Sequence, residues 1–327
     1  MKILTGKMNR KILTAVAVLI SAFTVLRAQN AQIPYGNMDR WRVRQVDESW
    51  IIGGDTKFLY ELASGDTLKN NTPYVPALKV SPWATSSVLA VVKGVTKGSC
   101  TVFPEQRGTG FAARLETRIE SVQVLGVINI SVMATGTLFL GEIVEPVKDT
   151  KNPQAKLMMG IPFTGRPSAI EFDYKFVQGK EGGKRLKMSG LSRTQVVEGV
   201  NEAEMCLLLQ KRWEDENGNV FAERVGTAWP RFSSSTSGWI NANVEQIHYG
   251  DISGSPCFRP HMELMNGENV HYCINSRGER VPIQEIRWAA PGTVPTHMIL
   301  RFSSGYGGAY VGSPGAELHI DNVRLKY

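Results

Sequence analysis

Residues 305–327 read GYGGAYVGSPGAELHIDNVRLKY, with five glycines among residues 305–315 and then an alternating run. A phosphate-cradling glycine loop needs a helix directly after it, because the helix N-terminus supplies the amides that bind the anion. The residues after Gly315 instead have the period of a strand, with Leu318 and Ile320 on one face. The glycines therefore belong to a loop that turns sharply or approaches another surface closely. The alternation then slips. Leu318 and Ile320 are even-numbered, while Val323, Leu325 and Tyr327 are odd-numbered. Both sets can face one core only if a residue is inserted between them, and this predicts a β-bulge at Asp321-Asn322.

The same period of two recurs upstream. Ile170, Phe172, Tyr174 and Phe176 alternate with Glu171, Asp173 and Lys175; Phe111, Ala113 and Leu115 alternate with Ala112, Arg114 and Glu116. Met205, Leu207 and Leu209 share a face, as do Met298, Leu300 and Phe302, opposite His297, Ile299 and Arg301. Each pattern predicts a half-buried strand. Asn217-Gly218 predicts a tight hairpin turn. Glycines 179, 182 and 183 predict the connection after the 170–177 strand, and residues 61–82 predict a long surface loop. No long amphipathic helix occurs after residue 28. Many strands punctuated by Gly and Pro predict an all-β, antiparallel sandwich or barrel.

The N-terminus is a separate matter. Lys2, Lys7, Arg10 and Lys11 precede an apolar run of about 15 residues at 12–26, and then small residues at 28 and 31. This is the pattern of an exported chain's signal peptide at 1–28, and it is short of the roughly 20 residues a membrane span needs. Without its five basic residues the formal charge falls from +7 to +2, 32 basic residues against 30 acidic. Such a chain keeps no strongly basic balance for nucleic acid. Localisation is expected to be periplasmic, cell-surface or secreted, with a membrane met only through export or surface association. Export permits disulfides among Cys100, Cys206, Cys257 and Cys273, and the short polar segment between Cys257 and Cys273 favours that pair. Cys206 lies in an apolar run and is expected to be buried and free. No Cys-x-x-Cys or closely spaced His/Cys set exists, which argues against zinc.

Five segments, in this order, resemble the putative carbohydrate metabolism domain of Bacteroidetes: GFAARLET (110–117), TGTLFLGEI (135–143), GIPFTGRPSAIEFDYKF (160–176), EAEMCLLLQKRW (202–213) and the segment from Met298 to the end. GNMDRW (36–41) resembles that domain's opening. The resemblance implies one jelly-roll sandwich over residues 29–327, similar to carbohydrate-binding modules, on an exported protein. It also implies a structural calcium between first and last strands, with Asp39, Asp321 and Asn322 at the matching positions. The family has a second aspartate where this chain has Asn322, which lowers the ligand charge.

A sugar's apolar face stacks on an exposed aromatic ring while polar side chains bond its hydroxyls. Trp213, Trp229 and Trp239, with Arg231, and Tyr306 and Tyr310 in the glycine-rich loop are the candidates. Catalysis would require two carboxyl groups roughly 5 to 10 Å apart. Glu142, Glu171, Asp173 and Glu204 lie in or near strands, and no spacing singles out a pair. Glu171 and Asp173 read as a solvated face. The five histidines, at 248, 261, 271, 297 and 319, are expected to be isolated. The leading expectation is non-catalytic recognition of a polysaccharide or oligosaccharide. A glycoside hydrolase is the alternative, and an adhesion protein whose sandwich binds another protein is a third reading.

Overall fold

The structure is a computed structural model that describes residues 30–74, 80–124, 128–190, 193–267 and 270–327. Residues 1–28, where a signal peptide is expected, lie outside the described residues. Ten strands build the body: β1 (Val102–Arg107), β2 (Gly110–Glu116), β3 (Thr137–Ile143), β4 (Ala169–Val177), β5 (Ala203–Glu214), β6 (Val220–Ala228), β7 (Ile240–Gln246), β8 (Arg280–Trp288), β9 (His297–Ser303) and β10 (Glu317–Lys326). One sheet has the order β7-β4-β10-β2-β1, antiparallel throughout. The larger sheet runs β3-β9-β5-β6-β8, antiparallel except for the parallel β6–β8 pair. The chain crosses repeatedly from one sheet to the other, so the two layers form a jelly-roll-like sandwich.

The alternating residues explain that packing. Leu115, Ile170, Phe172, Phe176, Leu318 and Ile320 from the smaller sheet meet Leu138, Met205, Leu207, Met298, Leu300 and Phe302 from the larger one. Side chains of this size contribute about 1.5–3 kcal/mol each when fully buried. The bulge lies where the slip predicts it. Glu171 pairs with Arg324 and Asp173 with Asp321, so Phe172 faces two residues, and Asn322 has φ +53°. Leu318, Ile320, Val323 and Leu325 are all buried as a result.

Three expectations are corrected. The β5 and β9 strands are buried on both faces. Cys206, Leu208 and Ile299 pack into a second core with Phe139, Trp229 and Ile283, under segments that cover the outer face of the larger sheet. The turn between β5 and β6 is longer than a two-residue hairpin, because Asp215 organises it. Its carboxylate accepts from Asn217 N at 3.0 Å and Asn219 N at 2.8 Å, and only Gly218 there has positive φ, whereas the tight type requires two such residues. All four cysteines are free thiols, so Cys257 and Cys273 form no disulfide. Cys257 sits 3.1 Å from the Ser255 hydroxyl, while Cys273 lies in a short strand paired with β8, near Arg212. Cys206 is buried, as its apolar run predicts. Residues 63–74 run irregularly apart from an isolated bridge at Leu68. Among the described residues no helix is long and apolar enough to cross a membrane.

Candidate functional site

The two faces of the β5–β6 hairpin present different chemistry. Side chains alternate along a strand, so cross-strand partners share a face. Trp213 pairs with Phe221 and Lys211 with Glu223. On this face the Trp213 and Phe221 rings stack with centroids 5.9 Å apart and a 27° interplanar angle, and Trp213 is 39% exposed. Inward from them, Lys211 and Glu223 border an open shelf of about 1030 Å³ with Tyr249, Asp251, Arg287 and Trp288. Arg287 pairs with Glu223, and Arg166 lies over the Tyr249 ring at 4.2 Å. The shelf's own rings are Tyr249 and Trp288, so aromatic faces adjoin charged donors and acceptors there, and the Trp213–Phe221 stack lies next along the strands beyond Lys211 and Glu223.

The opposite face carries Arg212 and Glu214. They line a cleft of about 400 Å³ with Glu142, Gly160, Cys273 and His297, and Trp213 borders the same cleft. Burial raises the Glu142 carboxyl above its ordinary pKa. Glu214 is held below the ordinary range by the Ser276 hydroxyl and amide, at 2.6 and 2.8 Å. Burial, then Arg212, pushes His297 down to about 4. His271 is buried behind it and lies well below the ordinary value through burial and the charges of Arg301, Arg212 and Arg224.

Both histidines are therefore neutral in the folded protein, whereas in the unfolded chain they take up protons below about pH 6.5. A depressed imidazole pKa makes the fold lose stability as pH falls from about 6.5 towards 4. The melting temperature is expected to fall over that interval, and His271→Gln and His297→Gln are each expected to flatten the slope in melts taken at half-unit pH steps.

The residues expected from the sequence are dispersed. Trp229 is 6% exposed and donates its indole N–H to Glu204 at 3.1 Å, so it is a core residue and offers no stacking face. Glu204 is buried against Arg301 and Arg231. Arg231 stacks over Tyr306 at 4.1 Å, and Arg185 stacks at 4.0 Å, so both cations lie against that ring. Tyr310 donates to Thr150 O at 2.6 Å. Tyr306 and Tyr310 border a cavity of about 310 Å³ whose walls, including Val88, Val122, Ile130 and Val132, are largely aliphatic and ill suited to hydroxyls. Trp239 lies half-buried under Arg107 at 3.9 Å, away from the Trp213–Phe221 stack. Of the histidines, His248 is exposed, while His319 is buried between Glu105 and Glu317. Glu171 and Asp173 are also buried rather than solvated, Glu171 beneath Arg324 and Lys326.

The expected calcium ligands do not fit that ion. Arg107 Nη1 donates to Asp173 Oδ2 at 2.7 Å and Asp321 Oδ2 at 2.6 Å, and Asn322 Nδ2 donates to Asp173 Oδ2 at 2.8 Å. The guanidinium supplies the positive charge between the carboxylates at the bulge. Asp39 is engaged elsewhere, accepting from Phe111 N at 3.0 Å and from Asn37 Nδ2 at 2.7 Å. Among the described residues no group of three or more His, Cys, Asp or Glu could hold a metal. Chelator is expected to leave the melting temperature unchanged. Arg107→Ala, which sets Asp173 against Asp321 without a counter-charge, is expected to cost about 1–3 kcal/mol in urea unfolding. A chelator-sensitive melt would reverse this assignment.

Comparison with known proteins bears on the hairpin site. Residues 65–217 match the putative carbohydrate metabolism domain. That span contains Glu142, Gly160, Lys211, Arg212, Trp213 and Glu214 and ends in the turn before β6, so Phe221, Glu223, Tyr249, Asp251, Cys273, Arg287, Trp288 and His297 lie outside it. The sequence resemblance and the match agree on a carbohydrate-related domain. Two solved structures are similar. One is described as a putative glycoside hydrolase from Bacteroides thetaiotaomicron, 18% identical, covering 87% of this chain and 70% of that one, with a TM-score of 0.47. The other, a putative glycoside hydrolase from Bacteroides vulgatus, is 14% identical and covers 91% of this chain and 94% of that one, with a TM-score of 0.41. No curated protein matches.

Of the site, sequence reasoning found Trp213 and Glu142 and missed Lys211, Arg212, Glu214, Phe221 and Glu223. The signal available was the Gln-Lys-Arg-Trp-Glu end of a strand facing Asn-Gly, since charges at a hairpin end with an aromatic cross-strand partner mark an exposed surface. Trp50, 89% exposed at a turn tip, was also missed.

Proposed function

We propose that the chain is an exported glycan-recognition protein whose binding surface is the Trp213–Phe221 stack together with the Lys211–Glu223 shelf next to it along the hairpin. The observation that carries this reading is the exposed Trp213 ring, backed by Phe221 and adjoining the Lys211–Glu223 pair. Phe221 fixes the indole plane, so little rotamer freedom is lost when a sugar stacks on it. Lys211, Glu223, Asp251 and Arg287 supply donors and acceptors for hydroxyls along an open surface, which admits an internal stretch of a polysaccharide as readily as a chain end. The match over residues 65–217 supports a carbohydrate role. Three segments of the resemblance also meet at this hairpin: those ending at Ile143 and Trp213, and the one beginning at Gly160. The test is affinity electrophoresis against a panel of soluble polysaccharides, with reducing-end release measured on the same samples. Retardation without release is the expected result; no retardation by any glycan would end the proposal.

A second reading has its own observation. Glu142 and Glu214 border one cleft and their environments push them apart, Glu142 upward and Glu214 downward. That divergence is what assigns a general acid and an ionised base or nucleophile in a glycosidase. Under this reading reducing ends are released, and both Glu142→Gln and Glu214→Gln abolish the release.

A further inference from the structure

The cleft on the opposite face of the hairpin holds an arginine whose charge no carboxylate neutralises directly. Arg212 Nε donates to Gln210 Oε1 at 2.8 Å and Nη2 donates to Met159 O at 3.1 Å. Its Nη1 has no hydrogen-bond acceptor and no acidic side chain in contact among the described residues. Burial lowers the pKa to about 10, so the group still carries its charge at neutral pH. Gly160 makes the room. A Cβ there would lie 2.5 Å from Nη2 and 3.2 Å from Cζ, so only glycine lets the guanidinium lie against this backbone.

The nearest buried acid is already occupied. Glu285 takes Arg224 through both oxygens, accepts from Met265 N at 2.8 Å, and meets Arg212 only through Gln210, whose Nε2 lies 2.6 Å from Oε1. Two arginines and one glutamate leave one positive charge uncompensated here. Of the two carboxylates bordering the cleft, neither forms an ion pair with Arg212, and Glu214 is turned to Ser276. A guanidinium that lines a partly open cleft with no carboxylate in contact is a ready partner for an anionic oxygen group.

We propose that the Arg212 cleft binds the carboxylate of a uronic-acid sugar. The glycan reading enters only in assigning a sugar to the anion; the anion site itself stands on Arg212. About 400 Å³ is room for one monosaccharide unit. The carboxylate meets Nη1 while hydroxyls meet His297, which is neutral and can donate or accept.

The test is titration calorimetry of the full chain with free glucuronate, glucose and sulfate, together with NMR titration of the His297 ring. Saturable binding of glucuronate, none of glucose, and much weaker binding of sulfate are expected. Arg212→Met is expected to weaken glucuronate binding at least about tenfold, with Arg212→Lys in between, because lysine keeps the charge but not the planar fork. Bound carboxylate is expected to raise the His297 pKa from about 4, since it offsets the Arg212 charge. This readout uses the unaltered chain and holds even if a variant fails to fold. Equal binding of glucose, equal binding of sulfate, a folded Arg212→Met that binds as before, or an unmoved His297 overturns the proposal. Failure of the shelf is read separately, from oligosaccharide binding by Lys211→Ala and Arg287→Ala, which border the shelf and not the cleft, so each reading can fail alone.

Discussion

Trp213→Ala is expected to weaken glycan binding by about 2 kcal/mol, roughly 30-fold, with little change in stability. The two halves of that expectation have different causes. The ring is 39% exposed and lies at the end of a hairpin, so its truncation opens no cavity in the sandwich. It does remove the flat apolar surface on which a sugar would stack. Phe221 loses its stacking partner and becomes more exposed, at a cost of about 0.5–1.5 kcal/mol. Trp213→Phe is expected to recover part of the affinity, because a smaller ring in the same plane keeps some stacking area. The measurement is affinity electrophoresis or calorimetry on the best-retained polysaccharide, with melts of each variant alongside. Unchanged affinity in a folded Trp213→Ala would remove the Trp213–Phe221 stack from consideration.

The largest stability effect is expected at Glu285. Its carboxylate and the Arg224 guanidinium are both fully buried. The same carboxylate accepts from Gln210 Nε2 and Met265 N, and so joins β5, β6, β8 and the segment that covers them. Glu285→Ala leaves Arg224 buried without a counter-charge. Removing one partner of a buried pair costs about 3–5 kcal/mol. At about 2–4 °C per kcal/mol for a chain of this size, the melting temperature should drop on the order of 10 °C. The double variant Arg224→Met, Glu285→Met is expected to recover much of the loss, since no charge is then stranded and apolar packing replaces the pair. If the single and double variants melt together, the cost lies in packing rather than charge. Arg212 enters the comparison through Gln210: loss of Glu285 withdraws the carboxylate linked to it, so glucuronate affinity in a folded Glu285→Gln should not fall.

Alternation of apolar and polar residues sufficed for the strands because a half-buried ribbon has only two faces, and a slip in phase leaves a visible mark. The bulge at Asp321-Asn322 is such a mark: Leu318 and Val323 cannot both be buried without it. The same logic failed for Glu171 and Asp173. Alternation tells which residues share a face but not what lies over it, and here Arg324, Lys326 and Arg107 cover the outer face. It failed for Trp229 for a related reason. An aromatic residue in a polar segment can point inward as easily as outward, and this one found Glu204 as a buried acceptor. The calcium expectation rested on positions matched to the family the sequence resembles, while the charge that meets Asp321 comes from Arg107, more than 200 residues earlier in the chain. The hairpin site was half visible, through Trp213 and Glu142, because each lies in a segment with its own pattern. Their neighbours Arg212, Gly160 and Glu214 acquire meaning only together.

By itself the sequence determined the class of the fold, the phase of its strands and the position of the irregularity in the last of them. Those are consequences of local periodicity and of the bonding each residue type allows its own backbone. Only the tertiary structure decided which charges meet and which aromatic ring stays exposed. Contacts between sheets join residues far apart in the chain, and a charge or a ring has no chemical role until its surroundings fix its solvation and its partners.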